Sequence, residues 1–460
     1  RPARELQKAA AIHDPTPALI IQDELHLLKE ELGTFNGHYE GFLTALARKV
    51  GTGKPPKILA ATATIEQYEQ HTRHVYLRPA SRFPVPGFRA GESFYATVYP
   101  EVSRRLYLGL LSHLRSKEQT IERCLEIYHS ELRRLYELGP SAAAEIGIVG
   151  VRSQQEWTEF LSLYDLSVIY VNQKATAGHV HYRIEHSLNN RLHPRNAFRL
   201  NAETLTGDDP MEKIGSVIER IEGEMGANHD RKLHALIATS LISHGVDLER
   251  INAMFLCGMP SRFAEYIQAT SRSARSHAGL VVVSFNGQDV REQSQYRYFL
   301  QNHQYLDRLV DPVPVHRFAQ NATRRTMPGL IIGLLGCYYA RHPLIWKKYK
   351  SRLEKAGDLQ KIIPTEETST KLLTWDRLLQ DLFEIYGVDD PAFPASMRQA
   401  ARKEIAAEFD EIRGAIMRAP ADVMLKDEEL LNPLTSFRDI DAGVEFTPDM
   451  GTAVIQTHIG

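Results

Sequence analysis

Cysteine is scarce in this chain. Cys124, Cys257 and Cys337 are its three, too far apart for a CxxC pair. That excludes a dense disulfide framework and predicts reduced thiols in a cytoplasmic protein. An excess of one charge is also missing: 55 Lys and Arg stand against 57 Asp and Glu, a net charge of −2. The chain as a whole therefore has no attraction to nucleic acid, and any such contact must be local. No apolar run approaches the length of a membrane span, and no secretory signal is expected. A metal-ligand spacing is absent too. His179, His181 and His186 cluster, but without diagnostic spacing, and read as solvated polar surface. A phosphate loop is absent as well. Gly51-Thr52-Gly53-Lys54-Pro55-Pro56 contains a Gly-Lys pair, but Arg48 stands where the leading glycine belongs and Pro55 where Ser or Thr belongs. This stretch is expected to be a turn.

Against those absences stands one stretch, Ala18-Leu19-Ile20-Ile21-Gln22-Asp23-Glu24-Leu25-His26. Its apolar run predicts a strand buried on both faces, as in a parallel sheet. Such sheets meet their ligands at the carboxyl ends of the strands, so Asp23 and Glu24 would be delivered to that rim. Adjacent carboxylates there suit a nucleotide phosphate with its metal. One can hold Mg²⁺, largely through water, while the other orients or deprotonates the attacking water. The stretch also reads as a strand running into an acidic helix start, and alone it leaves both readings open.

The 460 residues have room for two or three domains. Gly33 to Gly37 is expected to be a loop, followed by a helix with Leu43, Leu46 and Val50 on one face. Lys57 to Ala61 predicts a second buried strand ending in Thr62-Ala63-Thr64. Those hydroxyls suit a neighbouring acid or His26, and equally a helix N-cap. Arg73 to Leu77 reads as a short strand, Pro79, Pro84 and Pro86 as a linker, and residues 101–139 as helical until Pro140. Ser167 to Asn172 predicts the strand that opens a second α/β domain. Thr206 and Gly207 end a further short strand. Leu236 to Thr239 runs into a loop carrying Gly245 and Asp247. Ala253 to Cys257 is another strand, and Gly279 to Phe285 closes the sheet. Between these last two, Gln268, Arg272 and Arg275 fall on one face of a predicted helix. Two guanidinium groups beside strand ends suit a triphosphate.

Taken in order, these stretches resemble superfamily 2 helicases over roughly residues 10 to 290. Asp23-Glu24-Leu25-His26 matches the DExH box, motif II. Thr62-Ala63-Thr64 is similar to motif III, Ile169 to Asn172 to motif IV, and Thr239 with Gly245-Val246-Asp247 to motif V. Gln268 to Arg275 resembles motif VI, Q-x-x-G-R-x-G-R, with Ser271 and Ala274 in place of its glycines. Ile21 to Leu28, Ala61 to Ile65 and a long helical tail look most like the DrmA-type helicases of the DISARM anti-phage systems.

The resemblance implies ATP and Mg²⁺. Asp23 and Glu24 would hold the ion mainly through water, and Glu24 would position the attacking water. Arg272 and Arg275 would act as arginine fingers. Gln268, Gly245 and Asp247 would contact the nucleotide. His26, Thr62 and Thr64 would couple the phosphate state to nucleic acid, while Thr206, Gly207 and Thr239 would touch the strand backbone. DNA, single-stranded or partly duplex, and a DrmB-like protein are the implied partners. The motifs that precede motif II are absent, and the chain begins at Arg1, so it is expected to be part of a longer protein and inactive alone.

The tail carries no nameable motif. From Arg317 to Lys355, nine Lys or Arg stand against Glu354, with Tyr338, Tyr339, Trp346 and Tyr349 interleaved. Arg341, Trp346 and Lys347 would serve a single-strand track. Met327 to Ala340 reads equally as a core helix. The expected fold is α/β, with two RecA-like lobes, the first incomplete. The expected order is residues 1–90 for the end of lobe 1, 91–160 for a linker and helical insertion, 161–290 for lobe 2, and 291–460 for a helical extension whose acidic end would suit docking of a partner. The expected function is an ATP-dependent DNA helicase or translocase of phage defence. The rival is a nucleotide-incompetent module that grips nucleic acid or scaffolds a partner.

Overall fold

A computed structural model describes residues 17–434, apart from 52–54, 63–64, 86, 89–90, 100–103, 197, 225–227, 240–249 and 311. The chain divides into two compact units: Arg1–Phe83 with Pro312–Gly460, and Pro84–Asp311. The motif II segment and the helical extension thus share one unit. The expected turn at 52–54, Thr64, the motif V loop with Gly245 and Asp247, and most of the acidic tail lie outside the described residues.

The first unit opens with strand β1 (Leu19–Gln22), helix α1 (Glu30–Val50), strand β2 (Lys57–Ala60) and helix α2 (Tyr68–Tyr76). The two strands pair in parallel, Leu19 opposite Lys57 through Gln22 opposite Ala60. Sequence predicted burial on both faces, but Ile21 is 73% exposed, and Leu19 and Leu59 are exposed beside it. Only the other face is covered, where Ile58 packs on Leu25, Val75 and Tyr76. The segment read as a loop, Gly33 to Gly37, lies inside α1, and Arg73 to Leu77 is the end of α2 rather than a strand.

The second unit holds strand β3 (Arg105–Ser112), helices α3 (Lys117–Leu138) and α4 (Gln154–Ser162), strand β4 (Ser167–Val171), helices α5 (Lys174–Tyr182) and α6 (Asn189–Asn196), and strand β5 (Ala202–Leu205). Helix α7 (Met211–Gly223), strands β6 (Ala235–Ala238) and β7 (Ala253–Cys257), helix α8 (Phe263–Ser271), strand β8 (Gly279–Asn286), and helices α9 (Val290–Arg297) and α10 (Phe299–Gln304) complete it. Among the described residues its six strands are all parallel, in the order β3-β8-β7-β4-β6-β5. The central strands β4, β6 and β7 are buried throughout, which their unbroken apolar runs require. Alternate side chains feed two cores. Val168, Tyr170 and Leu256 meet Val217 of α7 and Tyr266 of α8, while Ile169, Val171 and Phe255 meet Leu125 of α3 and Val180 of α5. Near the amino end of β4 the buried Asp165 pairs with Lys232 at 2.8 Å and Arg250 at 2.7 Å.

Residues 105–112 overturn the helical reading of 101–139. Leu106, Leu108 and Leu110 alternate with half-buried residues at the sheet edge, and β3 pairs along its whole length with β8. The final strand β8 is therefore internal.

The chain then returns to the first unit with α11 (Gln320–Leu334), α12 (Pro343–Tyr349), α13 (Ala356–Glu367), α14 (Trp375–Tyr386) and α15 (Ala395–Arg418). Met327, Leu330, Ile331, Leu334 and Tyr339 lie in their common core, so the core-helix reading of this stretch holds. Arg317 does not belong to a basic track, because it is fully buried. Its guanidinium donates to the carbonyls of His74 (2.7 Å), Val75 (3.0 Å), Ile385 (2.8 Å) and Tyr386 (2.9 Å). These are last-turn carbonyls of α2 and α14, which have no partner inside their own helices. A Cβ at Gly41 of α1 would collide with the Ile385 carbonyl and with Arg317. Close packing explains why a glycine-rich stretch is helical here despite its poor propensity.

Candidate functional site

Strand β1 hands Asp23 to an exposed position. Asp23 Oδ1 accepts the Glu24 backbone N–H at 2.8 Å. Glu24 itself sits in the left-handed region, at φ 52° and ψ 48°, which costs a non-glycine residue about 1–2 kcal/mol. That turn starts a short 3-10 helix, Leu25–Leu27, pinned to the second strand by the Leu25 N–H on the Ala61 carbonyl at 2.9 Å. The result places His26 Nδ1 3.4 Å from Glu24 Oε2 and 3.2 Å from Thr62 Oγ1. Glu24 and His26 thus meet Thr62, which lies 36 residues from His26 in the sequence, at one strand end. His71 lies behind them. Burial holds it below the usual histidine range, opposed by bonds to the Val313 and Leu25 carbonyls. Sequence reasoning missed His71, which belongs to no motif.

No cluster of three or more His, Cys, Asp or Glu able to hold a metal occurs among the described residues. An exposed carboxylate pair without a third protein ligand fits Mg²⁺, which keeps several waters and binds through one or two carboxylates plus phosphate oxygens.

In the second unit, sequence placed Gln268, Arg272 and Arg275 on one helix face. The structure corrects this. Helix α8 ends at Ser271, Arg272 is its C-cap, and Arg275 lies beyond in a turn. Hydroxyls drive the ending: Ser271 Oγ donates to the Gln268 carbonyl at 2.9 Å and Ser273 Oγ to the Thr270 carbonyl at 2.8 Å. Ala274 then takes φ 55°, a left-handed conformation suited to glycine. It occupies the second glycine position of the motif VI pattern. Two arginines that sequence reasoning passed over hold this turn. Arg105 Nε donates to the Ser273 carbonyl at 2.7 Å and its Nη2 to the Ser271 carbonyl at 3.1 Å. Arg104 Nη1 donates to the Arg275 carbonyl at 2.6 Å. Recognising the period-2 leucines after them would have put both at the start of a strand.

Among the residues expected to touch nucleic acid, Gly207 is exposed at the end of β5. The Thr206 hydroxyl donates to Asp209 Oδ2 at 3.1 Å. Thr239 is only 7% exposed, so its place is at the sheet end rather than on an open surface. In the first unit, Arg341, Trp346 and Lys347 are all exposed near or on α12. Tyr339 is buried, donating to Asp381 at 2.6 Å, and Tyr349 donates to Glu366 at 2.8 Å, so these two aromatics serve packing. His181 lies 3.2 Å from the Thr204 hydroxyl, and His186 packs on Tyr182.

With this geometry in view, residues 161–277 match the family described as helicase conserved C-terminal domain. That part of the second unit is similar to a helicase C-terminal domain. The resemblance read from the motifs holds. The chain is 29% identical over 347 residues to the DISARM protein DrmA of Bacillus paralicheniformis, covering 72% of this chain and 29% of that protein. The chain therefore spans less than a third of the curated relative it matches. Two solved structures are similar at low identity. One is the DUF1998 helicase MrfA bound to DNA (13% identity, TM-score 0.44, 69% of this chain and 34% of that one). The other is the Mycobacterium smegmatis helicase Lhr bound to ssDNA and AMP-PNP (14%, TM-score 0.42, 83% and 38%).

The match to the helicase domain begins ahead of β4 and stops at His277, ahead of β8. Strands β8 and β3 extend the helicase sheet beyond it. The arginines that hold the motif VI turn thus come from outside the matched helicase residues. No described helix is long and apolar enough to cross a membrane.

Proposed function

We propose that this chain supplies part of the ATP-driven motor of a DNA helicase or translocase in phage defence. The observation that carries the reading is the meeting of Glu24, His26 and Thr62 at the end of β1, in a chain that also matches a helicase C-terminal domain. Kinship to a DISARM protein supports the defence setting, and a DrmB-like protein is the proposed partner. Asp23, exposed at the strand end, would hold Mg²⁺, largely through water, and the ion would supply neutralisation of phosphate charge. Glu24 takes a proton from the attacking water, and its left-handed backbone sets the carboxylate beside His26 rather than along the strand. His26 passes the state of Glu24 to Thr62 through the contacts at 3.4 and 3.2 Å. Arg272 and Arg275 stabilise charge developing on the transferred phosphoryl group, with Gln268 and Asp247 contacting the nucleotide.

The 460 residues contain no phosphate-loop pattern. Taken alone, the chain is expected not to turn over ATP. The same observation favours the rival reading, a module that binds nucleic acid without hydrolysis. The deciding measurement is steady-state ATPase of the complete gene product and its Glu24→Gln variant, beside fluorescent-nucleotide affinity. Turnover should fall by roughly a hundredfold or more, with affinity kept, because the amide preserves shape but cannot accept the proton. Absence of any nucleic-acid-stimulated ATPase in the complete product would favour the rival. Unchanged turnover in the variant would remove Glu24 from the mechanism.

A further inference from the structure

The segment Arg272 to Arg275 carries two features that conflict unless something outside it intervenes. The helix stops at Ser271, leaving last-turn carbonyls without helical partners. Ala274 then adopts φ 55°, which alanine seldom takes. An isolated segment of this sequence would relax, and both arginines would move with it.

The intervention comes from the edge strand β3. Arg105 spans the Ser271 and Ser273 carbonyls through Nη2 and Nε, at 3.1 and 2.7 Å, and Arg104 takes the Arg275 carbonyl at 2.6 Å. From the other side the Ala274 N–H donates to the Ile251 carbonyl at 2.8 Å. The Arg104 carbonyl in turn accepts the Gly279 N–H at 2.8 Å, so the clamp is itself fastened to the start of β8. Ala274 is fully buried and Arg105 half-buried, so the Arg105 and Ala274 bonds are partly shielded from water, while the Arg104 bond is exposed. A guanidinium is suited to the task because its planar fork reaches two carbonyls at fixed separation, and its charge favours a helix C-terminus.

We propose that Arg105, assisted by Arg104, is a positioning residue for ATP turnover. It holds the backbone of the Arg272–Arg275 turn in the one conformation from which those arginines act, replacing the conformational freedom that a glycine at 274 would provide. The proposal rests on the functional reading given above. Arg105 touches no substrate and acts through the turn.

The test is ATPase kinetics of the complete gene product carrying Arg105→Ala, Arg105→Lys, Arg275→Ala, Arg105→Ala with Arg275→Ala, and Arg105→Ala with Ala274→Gly. Fluorescent-nucleotide affinity and thermal melting accompany each. Arg105→Ala should lower kcat at least tenfold while KM and nucleotide affinity stay within about threefold. The double variant with Arg275→Ala should lose clearly less than the product of the two single losses, because Arg105 acts in part through Arg275 and otherwise through Arg272. Ala274→Gly should restore most of the lost kcat, since glycine adopts the left-handed conformation without the clamp. Arg105→Lys should melt like the parent and recover only part of kcat, which keeps the test open if Arg105→Ala folds poorly. The proposal is overturned if Arg105→Ala keeps kcat within twofold, if its loss adds in full to that of Arg275→Ala, or if Ala274→Gly restores nothing. If Arg275→Ala itself leaves turnover intact, the functional reading falls instead.

Discussion

Replacing Arg317 with Met tests how the motif II segment is held to the helical extension. The side chain is fully buried, and its guanidinium donates to four backbone carbonyls, in the last turns of α2 and α14. Burial pulls its pKa down to about 9, so it stays charged at neutral pH. Methionine would fill much of the volume but leave four buried carbonyls without a donor, at about 1 kcal/mol each. Two helix C-termini would also lose a cationic partner. Relief of the buried charge offsets part of this. The net cost is about 3 kcal/mol, a fall in melting temperature on the order of 10 °C. Arg317→Lys should fall between, since an ammonium has three donors for four carbonyls. Thermal melting followed by circular dichroism gives the overall cost. Hydrogen exchange gives its location, with faster exchange in residues 68–76 and 375–386 and the amides of β4 as internal reference. A melting temperature within 2 °C of the parent, or exchange unchanged at both helix ends, would refute the clamp.

Two further outcomes are expected. Trp346→Ala should weaken single-stranded DNA binding by about 1–3 kcal/mol through lost base stacking, and Lys347→Ala should flatten the salt dependence by roughly one phosphate contact. Fluorescence anisotropy across a potassium chloride series checks both, and unchanged affinity and slope would remove α12 from the DNA path. Burial holds His38 and His229 down at about 3 and His234 at about 4, against 6.5 when unfolded. The unfolded chain therefore takes up protons first on acidification. The stability they contribute is complete above about pH 6.5 and falls as the pH drops to about 4 for His234 and about 3 for His38 and His229, by up to about 1.4 kcal/mol per pH unit for each histidine. Melting temperatures that stay flat from pH 7 to 5 would contradict this.

Sequence by itself determined the chemistry on offer. The apolar run into Asp23 and Glu24, the hydroxyl at Thr62 and the buried runs of β4, β6 and β7 were legible because strand-end acids and short unbroken apolar runs carry their own local signal. What the sequence could not settle was set by contacts between distant segments. The Gly33–Gly37 stretch became helix because α1 packs against Arg317 and the Ile385 carbonyl, which compensates for poor propensity. Residues 105–112 became a strand because β8 offers them a parallel partner over eight residues, although their leucines also fit a helical period. Arg275 left the helix face because the Ser271 and Ser273 hydroxyls and a left-handed Ala274 end α8 early, with Arg104 and Arg105 from 170 or so residues upstream holding the result. Arg317 looked like one more cation in a basic tail, and burial made it the donor for two helix ends. Residue type and local spacing decide which groups can react. The hydrogen bonds owed by helix ends and edge strands are met only by tertiary structure, and those bonds fix where the groups point.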